Sequence, residues 1–226
     1  MKNLLRALLI FTFSVGAYAG QAVPNVEKST EIPLGSLKAV QVNGEVFFMS
    51  KNGRYVFQGQ LTDSWSKVTL DTIEEIEYST KHISVERFGL PIDSMNVITF
   101  GNGPKTVYSF VDPQCGFCKK FVTEAQTKTS EYTFKLIVVP ALGKESNRQS
   151  KSLFCAKDKS NALDEFMNNG LGNLPQKNKC DAKYYDLTLT FAQLVGVNAV
   201  PYMIAPDGRY KAGAEKGIWK WIENEG

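Results

Sequence analysis

Between residues 37 and 58 apolar and polar positions fall into short strand-length runs punctuated by turns. Lys38-Ala-Val-Gln-Val42 and Glu45-Val-Phe-Phe-Met49 flank Asn43-Gly44, where both turn positions accept a positive φ, so the segment predicts a tight hairpin. A second turn, Lys51-Asn-Gly53, leads into Arg54-Tyr-Val-Phe-Gln58 and completes a small antiparallel meander. Residues 20–30 are polar and irregular and read as a loose lead-in. About forty residues of strand bury too little apolar area to stand alone, so this segment calls for a partner surface.

The period then changes. Ile73, Ile76 and Val85 among Glu74, Glu75, Glu77, Lys81 and Glu86 predict a largely exposed helix over 71–87. Asp71 or Thr69 would cap it, Gly89-Leu-Pro91 would end it, and its exposure suits a linker between domains. From residue 96 strands and helices alternate. Val97-Ile-Thr-Phe100, Thr106-Val-Tyr-Ser-Phe-Val111 and Thr133-Phe-Lys-Leu-Ile-Val-Val139 read as strands, the second a buried central one. Helices are expected from about 118 to 129 and over 145–156, 160–169, 183–195 and 215–225. Tyr202-Met-Ile-Ala205 and Tyr210-Lys-Ala212 form an antiparallel pair across Pro206-Asp-Gly208. The pattern is that of an α+β chain.

Composition narrows the function classes. A net charge of +3, with scattered basic residues, gives no nucleic-acid footprint. The N-terminus is more informative: Met1-Lys-Asn-Leu-Leu-Arg6, the apolar run Ala7 to Val15 and Ala17-Tyr18-Ala19 have the layout of a cleaved signal peptide over residues 1–19. The apolar run is too short for a membrane anchor, and no later segment is long and apolar enough to span a bilayer, so export of a soluble chain is expected.

In an oxidising compartment the four cysteines suggest disulfides before metal. Cys115 and Cys118 follow a buried strand and open a helix. At a helix N-terminus unpaired N–H groups and the macrodipole favour a thiolate, and only the thiolate attacks a disulfide. Cys115 is therefore the expected nucleophile; Cys118, one turn in and more buried, is the expected resolving thiol. A zinc site would need two further ligands, and the only histidine, His82, lies in the linker helix, so neither metal nor cofactor is expected. Cys155 and Cys180 read as a structural disulfide, with a second redox-active pair as the alternative. Trp219 and Trp221 read as helix-packing residues.

Phe110-Val-Asp-Pro-Gln-Cys-Gly-Phe-Cys118, Phe154-Cys-Ala-Lys-Asp-Lys159, Cys180 and Leu194-Val-Gly-Val-Asn-Ala-Val-Pro201 resemble the thioredoxin-fold domain of the periplasmic disulfide isomerases DsbC and DsbG. The segment Val56-Phe-Gln-Gly59 after a Lys-Asn-Gly turn is similar to that family's dimerisation domain. The resemblance implies a small antiparallel β dimerisation domain at 20–70, a linker helix and hinge at 71–92, and a thioredoxin-like α/β domain with a helical insertion at 93–226. It implies a V-shaped periplasmic homodimer, misoxidised exported proteins as substrates and a membrane reductase of the DsbD type as partner. It further implies Cys115 as nucleophile, Cys118 as resolver, Cys155–Cys180 as the structural disulfide and Pro201 as the cis-proline beside the site. Gly116, Phe117, Val200 and Pro201 become the expected substrate-binding residues, Val200 pairing its main chain with an extended substrate. Two departures stand out: Val200 replaces the usual threonine before the proline, as in DsbA oxidases, and Gly-Phe lies closer to the Gly-Tyr of DsbC than to the Pro-Tyr of DsbG. Disulfide isomerase is the leading function. A DsbG-like reductase of oxidised single cysteines and a holdase chaperone working through the dimer cleft are the alternatives.

Overall fold

The computed structural model describes residues 26–32, 37–214 and 216–223; the expected signal peptide lies outside them. Four strands, β1 (Lys28–Glu31), β2 (Leu37–Val42), β3 (Glu45–Ser50) and β4 (Val56–Phe57), pair antiparallel in that order. Asn43 and Gly44 turn the β2–β3 hairpin with φ of 51° and 80°. Two expectations change here. The end of the polar lead-in runs into a strand, residues 28–31, because its backbone pairs with β2, and the third meander strand shortens to Val56–Phe57. A further hairpin, β5 (Leu61–Asp63) with β6 (Val68–Leu70), has no counterpart in the sequence reading.

Helix α1 (Ile73–Lys81) is capped by Thr72, not by Asp71 or Thr69. Thr72 Oγ1 accepts the Glu75 N–H at 3.2 Å while the Glu75 carboxylate accepts the Thr72 N–H at 3.2 Å, a reciprocal capping box. Ile73 and Ile76 are buried with Ala39, Phe48 and Leu70, so one stripe of the helix completes the N-terminal core. The helix stops at Lys81, short of the expected 87, because the chain beyond it pairs elsewhere. His82 bridges to Arg209, and the Ile83 N–H donates to the Gly208 carbonyl at 2.7 Å. Gly208 has a φ of 91°, and a Cβ there would lie 3.1 Å from the Ile83 oxygen, which explains glycine at this contact. The linker is thus embedded at both ends: Ile73 and Ile76 face one core, whereas Ile83 and Val85 join another.

The second sheet runs β11 (Tyr210–Ala212), β10 (Tyr202–Ile204), β8 (Lys105–Val111), β9 (Tyr132–Val138), β7 (Val97–Phe100). Only β8 and β9 are parallel, joined through α2 (Gly116–Ala125), as a parallel pair requires a crossover. Alternate residues of β8 feed two cores, Val107 and Val111 on one face and Phe110 on the other, which is why its sequence reads as an apolar run. Helices α3 (Lys144–Phe154), α4 (Ala162–Met167) and α5 (Lys183–Leu194) follow, and α6 (Ile218–Ile222) is shorter than the expected 215–225. Trp219 on α6 stacks on Phe121 with centroids 5.5 Å apart, so it is a packing residue. Among the described residues no helix is long and apolar enough to cross a membrane.

Candidate active site

The site forms where the central strand ends. Strand β8 delivers Val111, and the next four residues turn into α2. The turn is shaped by Asp112, the only acidic or basic residue among the buried polar side chains of the described chain. Its carbonyl accepts the Cys115 N–H at 3.1 Å. Its carboxylate accepts the Gln114 N–H at 2.7 Å, the Leu142 N–H at 2.8 Å and the Ser146 hydroxyl at 2.7 Å. Three donors offset the cost of burying the carboxylate and tie the turn to the β9–α3 loop. Sequence reasoning passed over Asp112; the available signal was an Asp two residues before Gln114, the spacing at which an Asx side chain bonds backbone.

The helix begins at Gly116, two residues earlier than expected, which makes Cys115 its N-cap. Cys115 Sγ accepts the Cys118 N–H at 3.1 Å. A sulfur at this position meets the positive end of the helix and one of its unpaired donors. Cys115 and Cys118 are joined as a disulfide with Cα atoms 5.2 Å apart. Cys115 keeps 5% of its surface exposed whereas Cys118 is fully enclosed, so an external reactant reaches Cys115 first. Gly116 and Phe117 between them face solvent, Phe117 with 69% exposure.

The opposite wall comes from the start of β10. The Val200–Pro201 bond is cis, and the Val200 carbonyl oxygen lies 3.6 Å from Cys115 Sγ. Tyr202, next in the chain, is anchored by its hydroxyl donating to the Val195 carbonyl at 2.9 Å, and burial raises its pKa. Lys119 donates to Asn169 Oδ1, and partial burial lowers its pKa. Cys115, Cys118, Gly116, Phe117, Val200 and Pro201 are therefore brought to one place. Cys155 and Cys180 lie on the helical insertion, joined to each other with Cα atoms 5.5 Å apart. The backbone there is also paired: the Lys157 N–H donates to the Pro175 carbonyl at 2.8 Å and the Lys177 N–H to the Cys155 carbonyl at 2.9 Å. His82 stacks on Tyr78 at 3.8 Å at the end of α1, outside this site.

A Cys-x-x-Cys pair on a strand-to-helix turn, faced by the backbone before a cis-proline, defines a thioredoxin-like dithiol–disulfide site. Residues 93–220 match the thioredoxin-like domain and residues 20–72 the disulfide bond isomerase protein N-terminal domain. The chain belongs to the thioredoxin-like family, and its first part carries the N-terminal domain described for disulfide bond isomerase proteins. It is 26% identical over 219 residues to the thiol:disulfide interchange protein DsbC of Salmonella typhimurium, covering 92% of this chain and 88% of that one. It is likewise 26% identical over 176 residues to the probable thiol:disulfide interchange protein DsbC of Bordetella avium, covering 77% of this chain but spanning only 60% of that protein's length. A disulfide interchange protein from Neisseria gonorrhoeae is similar in structure over 60% of this chain and 97% of its own, at 23% identity and a TM-score of 0.44.

Proposed function

We propose that the chain is a periplasmic protein disulfide isomerase and reductase that attacks non-native substrate disulfides through Cys115. The observation that carries this reading is Cys115 at the N-cap of α2, 5% exposed beside a fully enclosed Cys118, with the Cys118 N–H 3.1 Å from its sulfur. In the reduced enzyme the Cys115 thiolate attacks one sulfur of a substrate disulfide, forming a mixed disulfide and releasing the other substrate sulfur as a thiolate. That thiolate can attack a second disulfide within the substrate, and the rearranged chain finally displaces Cys115, with no net oxidation. Alternatively Cys118 gives up its proton and attacks Cys115 Sγ, releasing a reduced substrate and leaving the Cys115–Cys118 disulfide. A membrane reductase of the DsbD type would then return two electrons. Cys118→Ala removes the second route, so mixed disulfides with exported proteins should accumulate to most of the enzyme present. Non-reducing electrophoresis after acid quenching reads this directly, and an absence of mixed disulfides would remove thiol exchange from the account.

The carbonyl of Val200, 3.6 Å from the attacking sulfur, supports main-chain pairing with an extended substrate next to Cys115. The N-terminal module supports a homodimer in the same reading. Tyr55, Val56 and Phe57 are exposed on and beside the short edge strand β4, an apolar edge that isolated sheets avoid leaving open. Sedimentation velocity should therefore give a dimer for the full mature chain and a monomer for residues 92–226.

A further inference from the structure

The two most exposed large apolar side chains of residues 93–223 are Phe117, at 69%, and Leu142, at 56%. Neither is scattered at random. Phe117 lies between the redox cysteines, and Leu142 sits in the loop that leaves β9. The strand order β10-β8-β9 places the start of β10 on one side of the Cys115 turn and the end of β9 on the other. The substrate-facing backbone at Val200 thus has a counterpart across the turn, about one or two strand spacings away.

The counterpart is fixed in place. The Leu142 N–H donates to Asp112 Oδ2 at 2.8 Å, and the other oxygen of the same carboxylate accepts the Gln114 N–H at 2.7 Å. Ser146 at the start of α3 adds a third bond at 2.7 Å. One buried group therefore locks the residue before the nucleophile and the backbone of an exposed leucine into a single frame. With its backbone N–H held by Asp112, Leu142 keeps an exposed apolar side chain in the loop after β9, on the flank of the Cys115 turn opposite Val200.

We infer that Leu142 is a substrate-contacting residue, forming with Phe117 a subsite for an apolar side chain flanking the attacked cysteine of an unfolded polypeptide. Asp112 is its positioning residue. This rests on the thiol-exchange reading above and deepens it. Substrate main chain runs along Val200 on one flank of Cys115, and a neighbouring apolar side chain is covered on the other. Disulfides in misfolded chains, whose core residues are exposed, are favoured over those flanked by polar residues.

The test uses the reduced full mature chain and two peptides, each carrying one cysteine as a mixed disulfide with glutathione. One peptide has leucine and phenylalanine beside the cysteine; the other has serine and glycine. The readout is the ratio of the two second-order rate constants. Wild type should favour the apolar peptide by about tenfold, the gain expected from covering one leucine-sized side chain. Leu142→Ser should bring the ratio close to one, Leu142→Met should restore it, and Leu194→Ser, which alters an exposed leucine outside both loops, should not change it. A wild-type ratio near one, a Leu142→Ser ratio within twofold of wild type, or an equal loss in Leu194→Ser overturns the subsite. Failure of the wild type to react with either peptide overturns the thiol-exchange reading itself.

Discussion

Cys115→Ser should reduce reactivation of scrambled ribonuclease to the uncatalysed background, a fall of roughly a thousandfold or more in exchange rate. The expected size follows from the site. A hydroxyl at the α2 N-cap still accepts the Cys118 N–H, so the fold at the turn is kept, but it supplies no thiolate. Cys118 cannot substitute, because it is fully enclosed and reaches only what Cys115 has already bound. The measurement is recovery of ribonuclease activity against time at fixed glutathione. Full recovery with the serine variant would favour the holdase reading, in which an apolar surface and not sulfur chemistry assists folding.

The paired substitution Cys155→Ser with Cys180→Ser should act on stability and leave exchange intact. The bond closes a segment with a sequence separation of 25. Loop-closure entropy then sets a loss of about 3–4 kcal/mol, equivalent to about 10 °C in melting temperature for a chain of this size. The backbone pairing of Lys157 with Pro175 and Lys177 with Cys155 would remain to hold the insertion, so the variant should still fold at room temperature. Calorimetry gives the first quantity and the ribonuclease assay the second. If exchange collapses while the protein remains folded, the second cysteine pair is redox-active and its structural assignment fails.

Much of the site could be read without coordinates because its components are local. The Cys-x-x-Cys spacing, the apolar run before it and the amphipathic run after it lie within a short stretch, and their chemistry follows from helix-end electrostatics. Boundaries were less legible. Gly116 begins the helix because Asp112 has already paired the preceding amides, and that pairing depends on a side chain rather than on periodicity. Thr72 caps α1 with Glu75 three residues on, the spacing of a reciprocal cap, which hydrophobic periodicity does not mark. The linker looked exposed because its charges outnumber its isoleucines; Ile73, Ile76 and Ile83 nonetheless bury, since their partners come from distant strands.

What the residues alone supplied was the α+β alternation and the grounds for the proposed thiol exchange, with Cys115 as attacker and Cys118 as resolver. These depend on neighbours in the chain, whose spacing is set by covalent geometry. The tertiary structure alone decided what surrounds the sulfur. Val200 lies 85 residues from Cys115 in sequence, yet its carbonyl is 3.6 Å away. Leu142 lies 30 residues from Asp112 and is held by it. Such contacts follow from strand order, which puts the start of β10 and the end of β9 on either side of β8. No periodicity within a single segment encodes that order, because it arises from how separate apolar faces bury one another.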